Sequence, residues 1–197
     1  MIVKNWKREI LTIPNLLSLF RLILIPVYIT IYLKAEVARD YFLAAAILAV
    51  SCLTDMVDGQ IARRCNMIST VGKILDPLAD KATQLTLIVC LAIRHPILWA
   101  LVGLFLVKEL FQLIAGIIRL RKGRILKGAL MGGKISTTVL FVSLILMVLM
   151  PGLSETAINI FTAVDAAALL AAFADYAFAY YKKDSKFQTI EESLHHE

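Results

Sequence analysis

Long runs of apolar residues, separated by short polar stretches, dominate the pattern along the chain. A helix needs about 20 predominantly apolar residues to cross the hydrocarbon core of a bilayer. Several runs reach that length, and we predict transmembrane helices at 14–33, 41–63, 71–93, 97–119, 131–150 and 156–181. The pattern therefore predicts an all-α integral membrane protein, with a six-helix bundle over 14–181 inside a single domain, 1–197.

The two ends of the chain have a different pattern. Within residues 1–12, the apolar side chains Ile2, Trp6 and Ile10 recur at helical spacing opposite basic ones. This predicts an amphipathic helix that lies in the membrane interface, with Trp6 at headgroup depth. A plain juxtamembrane stub is the alternative. Residues 182–197 form a polar tail, which we predict to be frayed or a short surface helix.

Lysine and arginine residues are unevenly distributed between the two sides of the predicted bundle. The N-terminus, the 63–73 turn, the 119–134 segment and the C-terminus hold fifteen of them, whereas the other connections hold only Lys34, Arg39 and Arg94. Because basic loops remain in the cytosol, we predict that both termini and the 63–73 turn are cytosolic. The chain is thus predicted to be a multi-pass protein of the cell (cytoplasmic) membrane, with any site in that turn at the cytosolic face.

Composition supports the membrane assignment and narrows the range of partners. Of the 197 residues, 59% are hydrophobic, against about 45–50% in an ordinary soluble domain. The formal net charge of +6 is concentrated on the predicted cytosolic face, where it would attract anionic membrane lipids. Basic and aromatic residues are not interleaved, so nucleic acid is not an expected partner. The three cysteines have no metal-binding spacing and are expected in the core.

Four aspartates lie at the facing ends of the second and third predicted helices: Asp55, Asp58, Asp76 and Asp80. A charge at the centre of a membrane helix costs roughly 2.5–3.5 kcal/mol, so four acids together need a compensating partner. Clustered carboxylates without histidine or a CxxC pair suit a hard divalent cation such as Mg²⁺ or Mn²⁺. Solvated or structurally paired acids are the alternative interpretation.

Small and basic residues are placed among these acids. Gly59 and Ala62 leave the surface of the predicted helix bare, so a ligand can approach its backbone. Arg63 shares the same helical face and can bind a phosphate oxygen. Together with the aspartates, these residues predict a metal-assisted site for a substrate that contains a pyrophosphate.

The whole segment from Asp55 to Asp80 resembles the signature of the CDP-alcohol phosphotransferase family, D-x2-D-G-x2-A-R-x8-G-x3-D-x3-D, at all eight fixed positions. The resemblance implies an enzyme, a CDP-alcohol phosphatidyltransferase, which transfers a phosphatidyl group from CDP-diacylglycerol to an alcohol and releases CMP. It also implies six membrane helices, two bound divalent ions (Mg²⁺ or Mn²⁺) and, commonly, a homodimer.

The same resemblance assigns roles to individual residues. It implies that Asp55, Asp58 and Asp76 hold the metal ions, and that Asp80 is the general base for the acceptor hydroxyl and also touches a metal. The residues implied in CDP-lipid binding are Asn15, Gly59, Ala62, Arg63, Ser69 and Gly72. No serine, cysteine or histidine stands at a fixed position of the motif. We therefore hypothesise direct displacement without a covalent enzyme intermediate.

Two further segments concern the acceptor. The stretch Ile13–Arg21 resembles the opening of phosphatidylglycerophosphate synthases and of CDP-lipid-type cardiolipin synthases, which implies that Asn15 reaches the nucleotide. The stretch Gly133–Thr137 resembles the G-K-x-x-T segment of the same enzymes, whose lysine helps to hold the acceptor. The implied acceptor-binding residues are Lys108, Arg119 and Lys134.

The acceptor segments also depart from the phosphatidylglycerophosphate synthase pattern. Lys108-Glu109 replaces an Arg-Glu pair, and Gly116 stands where many of those enzymes carry a second arginine, for which Arg119 would substitute one turn later. Lysine cannot clamp a phosphate monoester bidentately as arginine does, so the departures favour phosphatidylglycerol. Glycerol 3-phosphate is nevertheless the leading predicted acceptor, phosphatidylglycerol (cardiolipin synthesis) the second, and an inositol phosphate a more distant third.

Three alternatives remain open at this stage. Lys108 and Glu109 can form a buried ion pair that has no role in binding. Arg21 lies inside the first predicted span and must pair or face a polar cavity. Pairing with one of the acids and contact with substrate are both open. The chain can also be a cation-binding membrane transporter, although transporters place their ion sites near the bilayer midplane and these aspartates lie near one surface.

Overall fold

The computed structural model describes residues 13–64, 72–121, 124–126, 131–181 and 187–189. Within these ranges the chain forms six long helices and two short strands. The helices are α1 (Ile13–Leu33), α2 (Ala38–Arg64), α3 (Gly72–Arg94), α4 (Leu98–Arg121), α5 (Met131–Leu149) and α6 (Glu155–Tyr181). The strands are β1 (Arg124–Leu126) and β2 (Phe187–Thr189), which pair antiparallel.

All six predicted helices are present, and each end lies within three residues of its predicted position. The predicted interfacial helix at 1–12 falls outside the described residues. The prediction for the polar tail was wrong at Phe187–Thr189, because these residues form β2 rather than a frayed end or a helix. Pairing with β1 satisfies their backbone hydrogen bonds across a long sequence separation, which no local pattern could indicate.

Within the part of the chain that the structure describes, four helices are long and apolar enough to cross a membrane: α1, α4, α5 and α6. Many of their large apolar side chains are exposed, Ile23 and Leu113 among them. Such an outward apolar surface suits contact with lipid rather than water. That α2 and α3 also span the membrane stays a prediction.

The chain divides into two compact units. The N-terminal unit runs up to Arg94 and includes Ile145–Gly152, whereas the C-terminal unit comprises His95–Leu144 and the chain from Leu153 onward. In the N-terminal unit, α1 packs against both α2 and α3. In the C-terminal unit, α4 packs against α6 and β1. The N-terminal unit therefore contains the helices of the aspartate signature together with α1.

Small residues allow close helix packing in the N-terminal unit. Ala44 on α2 and Ala79 on α3 have no exposed surface, and Leu87 and Ile88 fill the core further along α3. Small side chains let membrane helices approach one another closely, where dispersion forces provide much of the attraction. Because Ala79 is buried and its neighbour Asp80 is only partly so, α3 is fixed in rotation with the acid at the edge of the packed interface.

Arg94, the last residue of α3, ties this end of the helix to the α1–α2 connection. Its Nη2 donates hydrogen bonds to the backbone oxygens of Tyr32 (3.1 Å) and Ala35 (2.8 Å), and its Nη1 donates to the Tyr41 hydroxyl. The guanidinium also lies over the Tyr32 and Tyr41 rings, 5.3 and 5.1 Å from their centroids. The side chain thus adds charge-assisted hydrogen bonds to two carbonyl groups at and beyond the end of α1, where intrahelical partners are few.

Replacing this arginine should weaken the N-terminal unit. In Arg94→Gln we expect the free energy of unfolding to fall by about 1–2 kcal/mol, because charge-assisted hydrogen bonds and cation–π contacts are lost. The measurement is SDS-induced unfolding of the detergent-solubilised protein, followed by circular dichroism. An unfolding curve identical to that of wild type would show that these contacts do not contribute to stability.

Candidate active site

Two aspartates of the signature lie near the start of α3. Asp76 and Asp80 are four residues apart in the helix, so they share one face. Their side chains remain 42% and 47% exposed. The two carboxylates are therefore side by side and can be reached from outside the helix packing.

Helix α1 supplies a buried partner to both acids. Arg21 Nη1 donates a hydrogen bond of 2.7 Å to Asp80 Oδ1, and Arg21 Nη2 lies 3.9 Å from Asp76 Oδ1. The Ser18 hydroxyl donates to Asp76 Oδ1 and accepts a hydrogen bond of 3.4 Å from Arg21 Nη2. These four residues are referred to below as the Arg21 cluster.

The Arg21 cluster shows one of the two alternatives considered for Arg21, pairing with an acid, whereas contact with substrate stays a prediction. The Arg21 side chain is only 3% exposed, and a desolvated charge on an apolar helix requires a counter-charge. Its hydrogen bond with Asp80 is within the length range of a charge-assisted pair. Arg21 therefore pairs with an acid, as one of the two alternatives required.

Ser18, which the structure joins to the site, was not predicted from the sequence. Asn15, Ser18 and Arg21 follow one another at intervals of three residues, and all three are buried on α1. That spacing, a polar stripe on an otherwise apolar helix, was the available signal. Asn15 thus lies on the same face of α1 as the residues that contact Asp76 and Asp80.

The remaining signature residues are placed by backbone alone. Helix α2 contains Asp55, Asp58, Gly59, Ala62 and Arg63, and α3 begins at Gly72, so this part of the signature is helical as predicted. Their side chains, and all of Ser69, lie outside the described residues. Among the side chains that the structure does describe, no three His, Cys, Asp or Glu residues form a group that could hold a metal.

The described part of the site fits a hard cation. Asp76 and Asp80 offer carboxylate oxygens only, which are the donors that Mg²⁺ and Mn²⁺ prefer. Both carboxylates already approach one positive charge, the Arg21 guanidinium. That Asp76 and Asp80 hold a divalent ion together with Asp55 and Asp58 stays a prediction.

The predicted acceptor residues lie in the C-terminal unit. Lys108 on α4 is 2% exposed, and its Nζ is 2.7 Å from Glu109 Oε1. The ion pair considered as an alternative is thus present, while the acceptor role of Lys108 stays a prediction. Lys134 is exposed on α5, and Arg119 lies in α4 with a side chain outside the described residues.

Gly133, in the segment that resembles G-K-x-x-T, has a packing role. A Cβ atom built on Gly133 would lie 2.6 Å from the Tyr176 hydroxyl oxygen and 2.8 Å from its Cε2. Real Cβ atoms do not approach other atoms so closely, so α5 and α6 can pack here only because Gly133 has no side chain. The hydroxyl of Thr137 also donates to the Gly133 carbonyl oxygen.

This packing predicts a contrast between two glycines. Gly133→Ala should lower the free energy of unfolding by about 1–3 kcal/mol, because the Tyr176 ring must move. Gly103→Ala is the matched control, since a Cβ there meets nothing within 4 Å. This substitution should raise the free energy of unfolding by about 0.5–1 kcal/mol, because alanine favours the helix more than glycine does. Unfolding in SDS measures both. Equal effects of the two substitutions would contradict the packing role of Gly133.

Together, the helices and the Arg21 cluster define a membrane protein with a carboxylate site suited to a cation. The chain matches the family model for CDP-alcohol phosphatidyltransferases over residues 11–174. The match includes the whole signature and α1, and it extends through most of α6. The chain belongs to this family of phospholipid-synthesising transferases, so the family prediction made from the signature is confirmed.

Individual relatives carry two different names. A probable phosphatidylglycerophosphate synthase of Mycobacterium tuberculosis is 32% identical over 145 residues, which cover 73% of this chain and 68% of the relative. A CMP-forming cardiolipin synthase of Streptomyces coelicolor is 36% identical over 114 residues, 56% of this chain and 53% of the relative. A probable cardiolipin synthase of Drosophila melanogaster is 35% identical over 117 residues, 59% of this chain. The chain thus spans about half the length of the Streptomyces protein and, at 35%, about a third of the Drosophila one.

Proposed function

We propose that this protein transfers a phosphatidyl group from CDP-diacylglycerol to an alcohol and releases CMP. The observation that carries the proposal is the Arg21 cluster, in which the carboxylates of two signature acids approach the buried guanidinium of Arg21. Membership of the family supports the donor and the reaction type. We further propose that the active site faces the cytosol, as the distribution of basic residues predicts, and that the protein acts as a homodimer in the cell membrane.

In the proposed reaction, Asp80 accepts the proton of the acceptor hydroxyl. The acceptor oxygen then attacks the phosphorus that carries diacylglycerol, and the bond from this phosphorus to the oxygen shared with CMP breaks. The products are the phosphatidyl ester, CMP and one proton. A carboxylate in hydrogen-bond reach of the hydroxyl contributes roughly 10²–10⁴-fold to such a step. The partial exposure of Asp80 leaves room for an alcohol to approach.

The other signature residues hold the donor. Asp55, Asp58 and Asp76, with Asp80, would hold two divalent ions, which when bound neutralise charge on the pyrophosphate oxygens. Arg63 provides a positive charge for a phosphate oxygen. The residues proposed to bind the CDP-lipid are Asn15, Gly59, Ala62, Arg63, Ser69 and Gly72.

For the acceptor, we propose glycerol 3-phosphate first. Among the three relatives described above, the phosphatidylglycerophosphate synthase matches the largest shares of both chains. Lys134 is exposed and carries a positive charge that suits the phosphate monoester of this acceptor. Arg119 would supply a second positive charge.

Phosphatidylglycerol is the second candidate, favoured by two observations in the C-terminal unit. Lys108 is neutralised by Glu109, which leaves less positive charge for a phosphate monoester. In addition, α4 and α6 leave an open groove, lined by the apolar side chains of Phe111, Ala115, Ala174 and Phe178 among others. Such a groove suits an acyl chain of a lipid acceptor.

The test is CMP release from CDP-diacylglycerol by the purified protein in mixed micelles with Mg²⁺. Glycerol 3-phosphate, phosphatidylglycerol and inositol phosphate are supplied in parallel, and the lipid product is identified by mass spectrometry. Formation of phosphatidylglycerophosphate supports the first candidate, and cardiolipin supports the second. If no acceptor gives CMP, the transferase proposal is wrong and ion uptake into proteoliposomes should be measured.

A further inference from the structure

We propose that Arg21 is a positioning residue that fixes the Asp80 carboxylate for proton transfer. This inference rests on the proposed function, since it assigns Asp80 the role of the base. Its basis is the 2.7 Å hydrogen bond from Arg21 Nη1 to Asp80 Oδ1. The acid and the arginine come from different helices, α3 and α1, so their contact depends on helix packing.

The two partners differ strongly in burial. The Arg21 side chain is 3% exposed, whereas that of Asp80 is 47% exposed. A buried side chain in packed surroundings keeps one rotamer, but a half-exposed aspartate can change its own. The arginine therefore acts as the fixed point, and its hydrogen bond selects one orientation of the carboxylate. A base must be held within about 0.5 Å of its productive position, which makes this selection useful for catalysis.

The guanidinium also holds the carboxylates of Asp76 and Asp80 at a defined separation. Its Nη2 is 3.9 Å from Asp76 Oδ1 and 3.4 Å from the Ser18 hydroxyl, which itself donates to Asp76. A planar fork with several fixed donors can hold two partners at a defined separation, whereas the lysine ammonium acts as a point charge. One rigid group thus links the candidate base, Asp80, with the candidate metal ligand, Asp76.

The competing explanation is purely structural: Arg21 would need Asp80 only as a counter-ion. The two explanations differ in what happens when both residues are replaced. If Arg21 acts through Asp80, its loss has no further effect on turnover once Asp80 cannot accept a proton. If Arg21 contributes independently, the fold-reduction in kcat of the double variant is the product of the reductions in the two single variants.

The experiment compares Arg21→Gln, Arg21→Lys, Asp80→Asn and the Arg21→Gln/Asp80→Asn double variant. We expect Arg21→Gln to lower kcat by roughly 10²-fold, because a small misplacement of a reacting group has an effect of that size. Arg21→Lys should retain more activity, with a loss of about tenfold, since it keeps the charge but not the fork. The double variant should have a kcat within about threefold of Asp80→Asn alone. The KM for CDP-diacylglycerol should change by less than about threefold, because the donor is bound by other residues.

Two further measurements separate positioning from damage to the fold or to the metal site. Arg94→Gln is the matched control, because it removes an arginine from the same unit about 21 Å along α3 from Asp80 at 1.5 Å per residue. It should reduce stability without lowering the kcat of the folded protein. Mn²⁺ binding, followed by electron paramagnetic resonance, should weaken less in Arg21→Gln, which keeps all four carboxylates, than in Asp76→Asn, which removes one of them.

The outcomes distinguish failure of this inference from failure of the proposed function. No CMP release by wild type with any acceptor overturns both. An active wild type with an unchanged kcat in Arg21→Gln overturns the positioning role alone, as does a double variant whose losses multiply. Loss of Mn²⁺ binding in Arg21→Gln to the level of Asp76→Asn also overturns it, because Arg21 would then support the metal ligands rather than the base.

Discussion

The Asp80→Asn variant should release CMP about 10²–10⁴-fold more slowly than wild type, which is the usual contribution of a general base. The substitution is nearly isosteric, and the amide oxygen of asparagine can still accept the hydrogen bond from Arg21 Nη1. What is lost is the capacity to take a proton from the acceptor hydroxyl. The position of the side chain is retained, so the loss reports on chemistry rather than on misfolding.

The measurement is kcat for CMP release at saturating donor and acceptor. Asp40→Asn is the matched control, because it makes the same chemical change in the first turn of α2, at the end of that helix opposite to the signature residues. Asp40 Oδ2 accepts hydrogen bonds from the backbone nitrogens of Glu36 (3.2 Å) and Val37 (3.4 Å), which asparagine can also accept. This control should keep full turnover. If Asp80→Asn keeps full turnover as well, Asp80 is not the base.

The helices and the signature could be predicted from the sequence because both depend on local pattern. A run of apolar residues long enough to cross a bilayer is itself the signal for a helix, and turn residues such as Pro96 and Pro151 mark the ends. Asp76 and Asp80 are four residues apart, so their common face follows from helical geometry alone. These features do not require knowledge of which helices pack together.

The contacts between helices could not be predicted in the same way. The sequence shows that Arg21 is a charge in an apolar helix and therefore needs a partner, but not which acid provides it. Asp80 is 59 positions away from Arg21 in the chain, and Ser18 is 58 from Asp76. Which acid pairs with Arg21 depends on the rotation and depth of α3 relative to α1. Many small packing contacts together set these two quantities.

The packing role of Gly133 and the β1–β2 pairing could not be predicted for the same reason. A glycine beside Lys134 was interpreted through its resemblance to an acceptor-binding segment, whereas the structure shows a ring contact with Tyr176 on α6. Phe187–Thr189 has no strong strand signal of its own and is extended because β1 offers hydrogen bonds. In both cases the deciding partner is distant in sequence.

Removal of divalent ions should lower activity strongly. We expect treatment with a chelator to lower CMP release by about 10³-fold or more, since metal ions contribute several kcal/mol of charge stabilisation to reactions of this class. Mg²⁺ or Mn²⁺ should restore the rate. Ca²⁺ should restore it poorly, because it is larger and prefers longer, less regular coordination. The measurement is CMP release before and after chelation, with residual metal determined by elemental analysis.

The fold should survive this treatment, which separates a catalytic ion from a structural one. Without metal, Asp76 and Asp80 still have the Arg21 guanidinium as a counter-charge, so their mutual repulsion remains compensated. The SDS unfolding curve of the N-terminal unit should therefore shift little on chelation, whereas it should shift clearly in Arg94→Gln. Full CMP release by protein shown to be metal-free would contradict the assignment of Asp55, Asp58, Asp76 and Asp80 as metal ligands. Loss of the fold on chelation would instead show that the ions, rather than Arg21, hold the aspartates together.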